Sequence, residues 1–159
     1  MPAAFPEEAL KAQAVAARTY QVRQMQAAGT KEVLYDVGQA YIDTAGQKKK
    51  WGENYPVYAS KIRKAVRETA GEIMVYDGEP ILAAFHAISA GRTEDAVHVW
   101  NSDVPYLKSV DSREDAKAPQ HETTVIFSEQ ELEEKLGSAE VHILSPTDAG
   151  YVSEVQLGE

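Results

Sequence analysis

The run from Phe5 to Tyr20, FPEEALKAQAVAARTY, constrains this chain more than any other stretch. A proline fits the first turn of a helix, and two glutamates there suit the positive end of the helix dipole. The alanine-rich continuation has high helix propensity. The pattern predicts a helix that begins near Pro6, runs to Ala27 or Ala28 and stops at Gly29, a suitable C′ residue. Plotted at about 100° per residue, Ala9, Gln13, Ala16 and Tyr20 share one line. Glu8, Ala12, Val15, Thr19 and Val22 share the next, and Lys11 and Arg18 fall on the opposite side. Apolar residues occupy most of the circumference, so the helix is expected to be largely buried, its alanines letting other backbone approach closely.

A glutamate at the head of an apolar stripe then needs a reason. One reading of Glu8 is a first-turn acid, favoured by the dipole and paired with Lys11 three residues on. The other is a catalytic acid, which requires burial strong enough to keep a carboxyl protonated against that dipole.

The opening twenty residues, MPAAFPEEALKAQAVAARTY, resemble the signature of the stage II sporulation protein D family, which includes the LytB amidase enhancers. The resemblance continues through Gly38-Gln39-Ala40-Tyr41, Thr69-Ala70-Gly71, Tyr76-Asp77-Gly78-Glu79-Pro80-Ile81 and the run Ala84 to Glu94, AFHAISAGRTE. It ends with Trp100, Pro105-Tyr106-Leu107-Lys108-Ser109-Val110 and Gly150-Tyr151-Val152, and so covers nearly the whole chain in order. Family members usually begin upstream, with a membrane anchor or export signal and a strand leading into a Glu-Met-Pro motif, and carry a further C-terminal segment. The resemblance therefore implies a single domain, 1–159, truncated at both ends, with membrane anchoring only through a segment absent here.

At 159 residues the chain is the size of one domain and can bury a core. It has no cysteine, which excludes disulfides and thiolate metal sites. The formal charge of −9, from 25 acids against 16 bases, argues against a nucleic-acid partner, since phosphate binding needs a concentrated basic surface. The basic cluster Lys48-Lys49-Lys50 beside Trp51 is expected to be a solvated loop, a polyanion site being the alternative.

Val33-Leu34-Tyr35-Asp36-Val37 reads as a short strand, and residues 56–69 as an amphipathic helix with Tyr58, Ile62, Ala65 and Val66 on its apolar face. The runs 72–76 and 80–86, joined through Asp77-Gly78-Glu79, predict a hairpin. It delivers the chain into Ser89-Ala90-Gly91-Arg92-Thr93, whose small residues imply a turn that something approaches closely. Residues 93–98 suggest a helical turn capped by Thr93, residues 101–122 a loop, and residues 123–127 a strand. Ser128-Glu129-Gln130-Glu131 is a capping box opening a helix that ends at Gly137. Strands are expected at 141–144 and 151–157. The fold class is α+β, a long buried N-terminal helix with two or three further helices and a mainly antiparallel sheet.

The family resemblance implies lytic cleavage of the β-1,4 bond between N-acetylmuramic acid and N-acetylglucosamine in peptidoglycan, leaving a 1,6-anhydro end, by one glutamate and no cofactor. Glu8 occupies the motif position for that acid. An internal nucleophile removes the need for the second carboxylate of an ordinary glycosidase. Gln13 and Tyr20 are candidates for hydrogen bonds to the site or the sugar, and equally for core hydrogen bonds. Arg18 is a further substrate-binding candidate, better suited to anchoring a loop. Ser89, Gly91, Arg92 and Thr93 match the loop that the resemblance sets across the cleft from the glutamate. Tyr106 and Trp100 offer rings for a pyranose or for the core. His86, His98, His121 and His142 form no metal-ligand pattern.

The implied partners are glycan strands stripped of stem peptides and a cell-wall amidase, acting outside the cytoplasm at the wall or membrane during engulfment of the forespore. The alternatives are a non-catalytic glycan-binding amidase enhancer, and a two-carboxylate glycosidase pairing Glu8 with Glu94 or Asp95.

Overall fold

The computed structural model describes residues 2–33, 38, 40–119 and 121–158. The strand expected at 33–37 lies almost wholly outside them. The chain forms two compact units, Met1–Phe85 and His86–Glu159. Helices and antiparallel strands both occur, so the fold is α+β as expected.

In the first unit, helix α1 spans Glu7–Ala27, preceded by Pro6. It closes as a glycine-terminated helix should. Gly29 takes φ 63°, and Thr30 N–H donates to Met25 O. Helix α2, Thr44–Trp51, replaces the loop expected around the lysines. Asp43 caps it by accepting from Gly46 N–H at 2.7 Å. After a short 3₁₀ turn, α3 runs Tyr55–Glu68 with Pro56 in its first turn.

Helices α1 and α3 pack through small side chains, with Ala59, Ala65 and Leu10 buried. The expectation that α1 is largely buried is not met. Within it only Leu10 and Thr19 are buried, and most other positions are half-exposed.

Strands β1, Val75–Tyr76, and β2, Glu79–Pro80, form a hairpin across Asp77 and Gly78, both at positive φ. It is shorter than the apolar runs suggested. Pro80 has no N–H to donate, and only the bond from Ile81 N–H to Met74 O extends the pairing.

The second unit opens with an irregular segment leading to α4, Ala96–Trp100. Asp95 precedes it with no side-chain cap, and Thr93 stands outside it. A 3₁₀ helix covers Arg113–Lys117. Residues 123–127 form no strand. Val125 and Ile126 lie 65% and 88% exposed there, because strand propensity without a partner ladder does not make a strand. Helix α5, Glu129–Leu136, has the expected capping box and ends at Gly137 in the left-handed region. Strands β3, Val141–Pro146, and β4, Val152–Leu157, pair antiparallel as a bulged hairpin.

Candidate functional site

Glu8 sits in the first turn of α1 with its side chain 83% exposed, and Lys11 donates to it at 2.9 Å. Among the described residues of its unit, no desolvating pocket of the kind the catalytic reading requires surrounds it. Lys11 is shared. It also bonds Glu68 of α3 at 2.9 Å and stands 3.8 Å from Glu7, while Lys64 bonds Glu7 at 2.6 Å. The hydrogen bonds that Lys11 donates to Glu8 and Glu68 raise its pKa, and the one to Glu68 holds that carboxyl low. An open groove of about 570 Å³ beside this network is lined by Glu7, Pro56, Val57, Ser60, Lys61 and Lys64.

Farther along α1, Gln13 and Tyr20 are half-buried. Arg18 takes the anchoring role. Its guanidinium donates to Thr69 O (2.6 Å), Glu72 O (2.9 Å) and Val66 O (3.2 Å), tying down the C-terminal end of α3. Beside Arg18 in sequence, the wholly buried Thr19 hydroxyl donates to Val15 O at 2.7 Å and accepts from Met74 N–H at 2.9 Å.

In the second unit the structure gathers Ser89, Gly91, Arg92 and Thr93 into one braced loop. Buried Ser89 donates its N–H and its hydroxyl to Asp115 Oδ2 at 2.8 and 2.7 Å. Ser112 Oγ donates to the same oxygen at 3.0 Å, and His86 Nε2 stands 4.0 Å away. The bonds from Ser89 side chain and backbone, then Ser112, hold the Asp115 carboxyl below its usual range.

Tyr151 clasps the other side. Its hydroxyl accepts from Ala90 N–H at 3.0 Å and donates to Arg92 O at 2.8 Å. Gly91 N–H donates to Ser89 Oγ, Ser112 N–H to Gly91 O, Val110 N–H to Thr93 Oγ1 and Arg92 Nε to Ser109 Oγ. Gly91 is required by its φ of 99°, since an added Cβ would meet only Arg113 Cα at 3.9 Å. The Ser89 and Thr93 hydroxyls, offered by the sequence as sugar contacts, thus have internal partners. Tyr106 is half-buried and Trp100 half-exposed.

A third constellation holds the segment that follows the loop. Glu94 accepts from Thr147 Oγ1 and Asp95 N–H, and lies 2.9 Å from His98 Nδ1. Burial pushes its carboxyl up, but the bonds from Thr147, His98 and the Asp95 amide outweigh it and the net shift is downward. The bond that His98 makes to Glu94 raises the His98 pKa. Asp95 accepts from Ser109 N–H. Glu94 therefore holds backbone and side-chain donors, and Asp95 holds a backbone donor. Sequence reasoning missed Asp115 and Ser112 as parts of the site. Tyr151 carried a signal, standing in the Gly-Tyr-Val triplet that fits the family.

The stage II sporulation protein family model matches residues 1–76. Stage II sporulation protein D of Bacillus subtilis (strain 168) is 44% identical over 144 residues, covering 86% of this chain and 42% of that protein. The chain belongs to the stage II sporulation protein D family.

The Bacillus amyloliquefaciens protein of the same name is equally similar. The amidase enhancer of Bacillus subtilis (strain 168) is 36% identical over 135 residues, covering 85% of the chain and 17% of the enhancer. The chain thus spans well under half the length of these family relatives. No helix among the described residues is long and apolar enough to cross a membrane.

Proposed function

We propose that this chain is part of an extracytoplasmic cell-wall protein that cleaves the glycan strands of peptidoglycan as a lytic transglycosylase, in sporulation or wall remodelling. The observation that carries the reading is the 44% identity to stage II sporulation protein D across 86% of the chain. In this reaction a glutamic acid gives its proton to the glycosidic oxygen leaving C1 of N-acetylmuramic acid. The C6 hydroxyl of that same sugar attacks C1, its proton passes to the glutamate, and a 1,6-anhydro ring closes with no water consumed.

Glu8 is the acid this reading names, and it must exchange its Lys11 contact for the glycosidic oxygen. The braced Ser89–Thr93 loop presents Arg92, an exposed cation, as the substrate contact of its unit.

A second reading, glycan binding in support of a cell-wall amidase, is favoured by one observation, the exposure of Glu8 and its pairing with Lys11. The names of the relatives allow both, since one is an amidase enhancer. Mass spectrometry of peptide-free glycan strands incubated with wild type and Glu8→Gln separates them. The transglycosylase reading expects anhydro-ended fragments from wild type and a loss of about 100-fold or more in the variant. Equal cleavage by both would remove Glu8 from the chemistry. Binding without cleavage by either would leave the amidase-supporting reading, and reducing-end products would point to a two-carboxylate hydrolase.

A further inference from the structure

The lysine run is a helix turn set beside aromatic rings. Lys48, Lys49 and Lys50 fill the last turn of α2, where successive side chains leave the axis about 100° apart and so spread around its end. All three are exposed. Trp51 follows them and packs into an aromatic cluster, its ring stacked with Tyr55 at 6.3 Å and edge-on to Tyr58 at 6.0 Å. The Lys48 ammonium stands 5.6 Å from the Tyr55 ring centroid. Trp51, Tyr55 and Tyr58 are each half-exposed, and the exposed Tyr41 lies just before the helix.

The charges here are unspent. Lys11, Lys64, Lys108, Lys117 and Arg113 are all ion-paired, whereas among the described residues no carboxylate pairs with Lys48, Lys49 or Lys50. On a chain of formal charge −9 this turn is a local reversal of sign. Complementing the helix dipole accounts for a cation in the last turn but not for three beside a ring cluster.

We propose that the C-terminal turn of α2, with Trp51, Tyr55 and Tyr58, is a binding site for an anionic phosphodiester-linked polyol or sugar polymer, separate from the site named above. Three features set that chemistry. The cations are lysines, which meet phosphate as point charges. They are exposed and do not converge on a pocket, so a single phosphate ion is held weakly and a chain of repeated charges gains by engaging several at once. The rings beside them offer apolar faces for the carbon skeleton between phosphates. A lipid surface fits less well, because the helix, Thr-Ala-Gly-Gln-Lys-Lys-Lys-Trp, has no apolar stripe to insert.

The test uses the whole chain carrying Trp100→Phe, which leaves Trp51 as its one tryptophan reporter. Titration with polyglycerol phosphate oligomers is expected to change Trp51 emission. Apparent affinity is expected to fall at least tenfold in Lys48→Gln/Lys49→Gln/Lys50→Gln and to drop as salt rises. The arginine triple variant retains binding, and helical circular dichroism reports whether either variant is folded. Neutral dextran leaves the emission unchanged. Absence of binding by wild type overturns the proposal. So does undiminished binding by the folded glutamine variant, or equal or tighter binding to phosphatidylglycerol vesicles or to polyglutamate.

Discussion

The two units are held together by opposite devices. In residues 1–85 the organising groups are cations and hydroxyls that reach backbone carbonyls and amides from a helix. Arg18 gathers three carbonyls at the end of α3, Arg23 donates to Pro80 O at 2.9 Å, and Thr19 links Val15 to Met74. In residues 86–159 the organising groups are carboxylates that accept from amides and hydroxyls, with Asp115, Glu94 and Asp95 each fastening a loop. A guanidinium keeps its charge across the accessible pH range, whereas a carboxylate loses it in acid. The same task of holding irregular backbone is therefore insensitive to pH in the first unit and sensitive in the second.

The largest effect expected from breaking this contrast is at Arg18. Arg18→Met leaves the carbonyls of Val66, Thr69 and Glu72 without their donor, a loss of about 2–3 kcal/mol measured by urea denaturation. An unchanged midpoint would mean that water replaces the guanidinium fully. Thr19→Val, nearly isosteric, strands the Met74 N–H in a site where the threonine is wholly buried. It is expected to cost about 1–2 kcal/mol by the same measurement.

Acid sharpens the comparison. Asp115 and Glu94 are lowered by their bonds, so the stability they lend is present above the ordinary carboxylate values of 3.8 and 4.5 and is lost as pH falls through the lowered ones. His98 is raised, so its contribution is full below about 6.5 and is lost as pH rises through its folded value. Amide exchange is expected to show Ser89 and Asp95 losing protection in acid before Met74 does. Simultaneous loss would remove the distinction between the units. The smallest effect belongs to Tyr151→Phe, expected to cost about 1 kcal/mol or less and to speed exchange at Ala90 alone.

What was legible in the sequence lies within a few residues of its own signal. Pro6 and Gly29 bracket α1, the Ser128–Glu131 box opens α5, Asp77-Gly78 turns a hairpin, and Gly91 marks a left-handed turn. The cap of α2 was equally local, with Asp43 receiving Gly46 N–H, but it was masked by the run of like charges that followed. The reading of 123–127 failed for a different reason. A strand needs a neighbour, and no local pattern supplies one. For the candidate site, the sequence singled out Ser89 to Thr93 but not what holds them. Asp115 is 26 residues from Ser89, and Tyr151 is 61 from Ala90.

By itself, then, the sequence determined the family, the α+β class and the ends of α1 and α5, because helical hydrogen bonds close over four residues and their terminators sit beside them. Only the tertiary structure decided that Glu8 stands in solvent against Lys11, that Arg18 anchors α3, and that the lysine turn lies against Trp51, Tyr55 and Tyr58. Exposure and side-chain partnership are set by which distant segments come to lie alongside, and helical periodicity gives the faces of an element without saying what covers them.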